Sequence, residues 1–158
     1  MKTVGSKATF EFLVEEREAD GVAIEIWAGN QCLTPNDRYP FLPAFLPRLE
    51  ASEARLRRPD ALLRHEAELS ELSIQAAFDL LSSQEVPALH QALRWLDWGP
   101  TTDDVLCFLI PSKGILHLTW KLANEARLGT VPVSATSLAN LVAEMRDVLR
   151  ARLAGQQN

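Results

Sequence analysis

With two cysteines, three histidines and seven glycines, none of which has a glycine neighbour, this sequence is short of recognisable catalytic apparatus. Single glycines exclude the Gly-rich loop that cradles a nucleotide phosphate. His65, His90 and His117 lie far apart, and His65-Glu66-Ala67-Glu68 has no second histidine four residues on. The helix-borne zinc pattern is therefore missing, and neither a metal nor a cofactor is expected. Cys32 and Cys107 are too few for a secreted disulfide framework, so reduced thiols in a cytosol are expected. Cys107 sits within Leu106-Cys107-Phe108-Leu109 and reads as inert core, while Cys32 has no basic neighbour to stabilise a thiolate. No apolar run approaches the roughly 20 residues of a membrane span, and Met1 to Lys7 is followed by no cleavable apolar segment. A cytoplasmic chain with no membrane partner is the expectation.

What is present is a folded, acidic chain. A hydrophobic fraction of 47% with 23% charged residues suits one globular domain over 1–158, with 155–158 as a frayed polar tail. A formal net charge of −5 argues against a nucleic-acid partner held through its phosphates and favours a basic or neutral protein. Glu11, Glu15, Glu16, Glu18, Asp20 and Glu25 crowd the first segment, and Arg48, Arg55, Arg57, Arg58 and Arg64 follow.

Alternation predicts a strand over Ala8 to Val14 and another over Val22 to Trp27, joined through Asp20-Gly21 as an antiparallel hairpin. Gly29-Asn30 offers a second tight turn into Gln31–Leu33. Prolines 35, 40, 43 and 47 cannot all lie inside one helix, which predicts an ordered loop and a helix starting near Pro43 or Pro47. Further helices are expected over Ala61 to Ser82 and from Pro87 to Leu96. Val105 to Ile110 reads as a strand buried on both faces, turning through Lys113-Gly114 into Ile115 to Leu122, with Gly129 to Val133 as a last strand. Leu138, Leu141, Val142, Met145, Val148 and Leu149 form the stripe of a terminal helix, with Ser137 as a cap and a sheet beneath it. The order of elements predicts an α+β fold with a mainly antiparallel sheet built from N-terminal and C-terminal hairpins and packed against several helices.

Two histidines invite a catalytic reading: a small hydrolase or transferase using His117 or His90 with Asp103 or Asp104, provided the turn brings them within hydrogen-bond reach. The Tyr39 to Leu49 segment suits a self-associating adaptor or structural subunit. The most suggestive group is the outward face of the first hairpin, where Glu11, Leu13 and Glu15 should lie beside Ala23, Glu25 and Trp27. An exposed tryptophan among acidic side chains suits a basic protein partner. The competing reading is that the Tyr39-Pro40-Phe41 loop covers Trp27 and makes it part of a small second core.

The stretch from Ile24-Glu25-Ile26-Trp27-Ala28-Gly29-Asn30 through Gln31-Cys32-Leu33-Thr34-Pro35-Asn36-Asp37, then Leu42-Pro43-Ala44-Phe45-Leu46, resembles the opening of small uncharacterised bacterial proteins, some of which are similar to immunity proteins of polymorphic toxin systems. The Phe108 to Leu118 hairpin and the terminal helix are compatible with that group. The resemblance implies a cytoplasmic, non-enzymatic binder that neutralises a cognate toxin by occluding it, and it carries over no functional residue. The expected partner-binding set is therefore Glu11, Leu13, Glu15, Glu25 and Trp27, with no catalytic residue, and the oligomeric state is left open.

Overall fold

The computed structural model describes residues 1–17 and 21–156. Glu18, Ala19 and Asp20, and with them the start of the Asp20-Gly21 turn, lie outside the described residues, as do Gln157 and Asn158. The fold is α+β, with two separate four-stranded antiparallel sheets.

The first sheet has the order β1 (Lys2–Gly5), β2 (Phe10–Glu16), β3 (Val22–Ala28), β4 (Gln31–Cys32). Gly29 and Asn30 both adopt positive φ (51° and 65°), the geometry of a two-residue hairpin turn. β1 was not evident from the sequence, since four residues with one buried side chain, Val4, show no alternation to read. The second sheet runs β5 (Arg94–Trp95), β6 (Val105–Ser112), β7 (Ile115–Leu122), β8 (Gly129–Val133). Lys113 and Gly114 turn β6 into β7 with φ of 53° and 74°. The two hairpins thus do not share one sheet: β4 ends the first after two residues, and β5 closes one edge of the second.

Helix α1 (Leu42–Leu56) holds Pro43 in its first turn and Pro47 inside, with Pro35 and Pro40 left in the preceding loop. The single helix expected over Ala61 to Ser82 is instead three: α2 (Asp60–Leu63), α3 (Glu66–Leu69) and α4 (Ile74–Ser82). Local chemistry and docking break it. Ser73 takes an extended conformation and its hydroxyl caps α4 by accepting from Ala76 N–H at 3.1 Å, while Glu66 leaves the helix surface to accept from Gly114 N–H at 2.7 Å. α5 (Pro87–Leu93) stops before Arg94 because Arg94 and Trp95 pair with Phe108 and Cys107 of β6.

The short helices cover the β6 face that carries Phe108, whose ring meets Phe78 of α4 at 5.5 Å and His90 of α5 at 5.1 Å. On the other side an aromatic cluster joins the layers: Trp95 packs edge-on against Phe10 (5.0 Å) and Trp98 (5.1 Å), and Trp98 against Phe12 and Phe45. The indole N–H of Trp98 donates to Ser52 of α1 at 2.7 Å. Buried residues of both sheets and of the helices form one contiguous apolar cluster.

α6 (Ala135–Gln156) packs chiefly along α1 and touches β1, so it does not lie across a sheet as the apolar stripe suggested. Leu138, Val142, Met145 and Leu149 are its buried stripe, and Glu50 and Glu53 of α1 pair with Arg150 and Arg146 across the helix contact. The Ser134 hydroxyl, not that of Ser137, accepts at its N-terminus, from Ser137 N–H at 3.3 Å. Gly155 and Gln156, expected in a frayed tail, remain helical.

Candidate partner-binding site

Strand alternation and register assemble the face expected from the sequence. Glu11 lies opposite Trp27, Leu13 opposite Glu25 and Glu15 opposite Ala23. Their neighbours Phe10, Phe12, Val14, Ile24 and Ile26 point to the other side and are buried. Thr3 of β1, opposite Leu13, and Cys32 of β4, opposite Trp27, extend the face in both directions.

This face is preorganised by contacts that the sequence did not disclose. Lys7 places its ammonium over the Trp27 ring, 4.0 Å from the centroid, and the Trp27 indole N–H donates to Glu25 Oε2 at 3.0 Å. Glu25 also accepts from the Arg38 guanidinium, which raises the Arg38 pKa. Lys7 escaped notice because it belongs to the connection out of an unrecognised strand, and Arg38 because nothing in its spacing ties it to Glu25. Trp27, Glu25, Leu13 and Glu15 are half-buried, and Glu11 is only 7% exposed. Among the described residues neither Glu11 nor Glu15 has an ion-pair partner, whereas Glu16 is held by Arg152.

The Tyr39-Pro40-Phe41 loop leaves its own aromatics out, with Tyr39 52% and Phe41 73% exposed, and the group over the Trp27 ring is Lys7. The loop is anchored at its base: Arg38 carbonyl accepts from Ile24 N–H at 2.7 Å, and Arg17 lies over the Tyr39 ring at 5.2 Å. Beyond Phe41 the segment is committed to the interior, with Leu42, Phe45, Leu46 and Leu49 buried.

Neither histidine considered for catalysis meets a carboxylate among the described residues. His90 Nδ1 bonds the Leu81 carbonyl at 2.7 Å. His117 lies opposite Ile110 and Pro132, and its carbonyl accepts from the buried Thr119 hydroxyl, which also meets Thr130 at 3.0 Å. Asp104 accepts from Asn36 Nδ2 at 3.0 Å, and Asp103 caps the Pro100–Thr102 turn. The structure does not join either histidine to either aspartate. His65 pairs locally with Glu68 at 2.9 Å. Cys107 is fully buried, which pushes its thiol pKa far above the ordinary range, and Cys32 is half-buried with Thr34 Oγ1 at 4.0 Å. Among the described residues no helix is long and apolar enough to cross a membrane.

The architecture is that of an α+β protein in which two short antiparallel sheets share helices and an aromatic core. It is similar, over 95% of this chain and 99% of the other, to the crystal structure of CdiI from Burkholderia dolosa AUO158, with a TM-score of 0.66 and 16% sequence identity. No protein-family model matches the sequence, and no curated protein matches it.

Proposed function

We propose that this chain is an immunity protein: a non-enzymatic, cytoplasmic protein that binds a cognate toxin and neutralises it by occlusion. The observation that carries the reading is the fold match to CdiI, an immunity protein of contact-dependent inhibition, which spans nearly the whole of both chains. Occlusion needs a surface of about 1,600 Å² in total and a charge match for fast encounter, and no catalytic group.

The contact face in this reading is the outer face of the first hairpin. Trp27 is held in one orientation by Lys7 and Glu25, so little side-chain entropy is lost when a partner covers it. Half-buried Glu15, and Glu11 with the 7% of its surface left open, supply carboxylates without an ion-pair partner among the described residues, which a basic toxin surface would match. The enzymatic alternative loses its residue support because the His90 ring is bonded to the Leu81 carbonyl and neither His90 nor His117 is joined to Asp103 or Asp104. Of the large apolar side chains in its segment, the adaptor reading keeps Tyr39 and Phe41 as exposed.

The test is affinity capture from the native cell extract with the wild-type protein and a Trp27→Ala, Glu25→Lys variant side by side, identifying bound proteins by mass. One stoichiometric partner that arrests growth when expressed alone, and whose recovery falls with the variant, supports both the function and its face. A partner without toxicity overturns the immunity reading, and a toxic partner retained fully by the folded variant moves the interface elsewhere.

A further inference from the structure

The molecule carries a second feature of opposite sign. Arg48, Ser52 and Arg55, spaced by four and three residues, line one face of α1 and look across a cleft of about 600 Å³ at His90, Gln91, Arg94 and Asp97 of the α5–β5 segment. Three arginines therefore share an opening whose lining includes one carboxylate, Asp97, in a chain of net charge −5.

The arginines are not neutralised by their surroundings. The acidic residues of α1 are spent on the opposite side of the helix, where Glu50 holds Arg150 and Glu53 holds Arg57 and Arg146. Arg55 donates to two backbone carbonyls, those of Ala92 and Arg94 (the latter at 2.7 Å), and burial without a carboxylate lowers its pKa. Arg94 Nε is buried and has no hydrogen-bond partner. Arg48 reaches the rim beside Gly99 and makes no ion pair among the described residues. A carboxylate entering the cleft would find guanidinium groups on both walls, Arg48 on one and Arg94 on the other, for charge-assisted bonds. The lining is also held in place: Arg55 clamps the end of α5, Trp98 fixes Ser52, and Leu96 is locked at a φ of 58°.

We propose that this cleft is a binding site for a carboxylate-bearing peptide segment of the protein partner, with Arg48 and Arg94 as the recognising residues and Arg55 as the positioning residue. The proposal rests on the reading of the chain as a toxin-binding protein and gives that partner a mixed surface: a basic region for the hairpin face and an acidic segment for the cleft. A peptide carboxylate is favoured over a free anion because a cleft of about 600 Å³ exceeds a single small anion and its arginines enter from both walls.

The test is titration of the full-length protein with an N-acetylated tetraglutamate peptide, followed by the indole N–H resonances of Trp95 and Trp98, with inorganic phosphate and tetralysine as separate arms. The expected result is saturable shifts with tetraglutamate, none with tetralysine, and affinity reduced at least ten-fold by Arg48→Glu and by Arg94→Gln, while Arg152→Glu, outside the cleft, leaves it unchanged. Absence of saturation, equal binding by the two cleft variants and wild type, or phosphate binding as tight as the peptide would each overturn the proposal. The peptide titration needs no toxin, so its failure is separable from failure of the capture experiment. If Arg94→Gln unfolds the protein, Arg48→Glu, at an exposed position, decides the question.

Discussion

Gly129→Ala probes the junction of the two sheets. Gly129 lies directly opposite Trp120 in the β7–β8 ladder, and the indole ring lies across it. A Cβ built on Gly129 would come within 2.5 Å of Trp120 Nε1 and nearer still to the ring carbons Cε2 and Cζ2. The ring cannot yield freely: its N–H donates to Gln31 Oε1 at 2.9 Å, Gln31 in turn donates to Glu125 at 2.7 Å, and Gly29 lies against the far edge of the indole. One methyl group thus displaces a buried tryptophan and breaks a hydrogen bond between the sheets. Overpacking of this kind costs about 1–3 kcal/mol, and the lost bond adds about 1 kcal/mol, so a loss of roughly 2–4 kcal/mol is expected. Urea unfolding followed by tryptophan fluorescence measures it as a fall in midpoint at constant slope. Gly155→Ala, in open space on α6, is the control and should stabilise by a few tenths of a kcal/mol to about 1 kcal/mol. A Gly129→Ala loss under about 0.5 kcal/mol would refute the packing of Trp120 across the glycine, because thermal relaxation of a close-packed site does not hide an overlap of that size.

Ser73→Ala removes the cap of α4 and should cost about 1 kcal/mol by the same denaturation assay, with Ser73→Asp restoring most of it. Cys107 gives a pH dependence of definite sign. Burial raises its folded pKa, so the unfolded chain ionises first and stability falls as pH rises above about 8.5, by about 1.4 kcal/mol per unit. The difference in unfolding free energy between wild type and Cys107→Ala, measured at pH 7 and pH 9.5, should narrow or invert accordingly, and an unchanged difference would contradict the burial. Trp27→Ala with Glu25→Lys should leave the unfolding free energy within about 1 kcal/mol of wild type, since both side chains are only half-buried, while weakening partner binding by ~2 kcal/mol or more, the size of a hot-spot loss. Circular dichroism and a binding titration separate the two effects.

The sequence disclosed whichever elements bury one face against the core and end in residues suited to tight turns. β2, β3, β6 and β7 follow from alternation or an unbroken apolar run, and the Gly29-Asn30 and Lys113-Gly114 turns from residues that tolerate positive φ. α6 follows from its stripe. What stayed hidden depends on partners distant in the chain. β1 and β5 are strands because β2 and β6 are beside them, and α2, α3 and α4 separate because each docks on β6 independently. The hairpin face was legible as a set of residues because register follows from period two, but its wiring was not: Lys7 on Trp27 and Arg38 on Glu25 link positions 20 and 13 residues apart. The arginine cleft was invisible for the same reason, since Arg48 and Arg55 meet Arg94 only after α5 turns into β5.

Neutralisation of a toxin by occlusion is measured by titrating this protein against the captured partner while following that partner's toxic activity. Complete inhibition at one equivalent of wild type is expected, with the Trp27→Ala, Glu25→Lys variant requiring at least ~30-fold more protein when assayed near the dissociation constant. Activity that persists at saturating wild-type protein, or that the folded variant suppresses as well as wild type does, would contradict occlusion or its assigned face respectively.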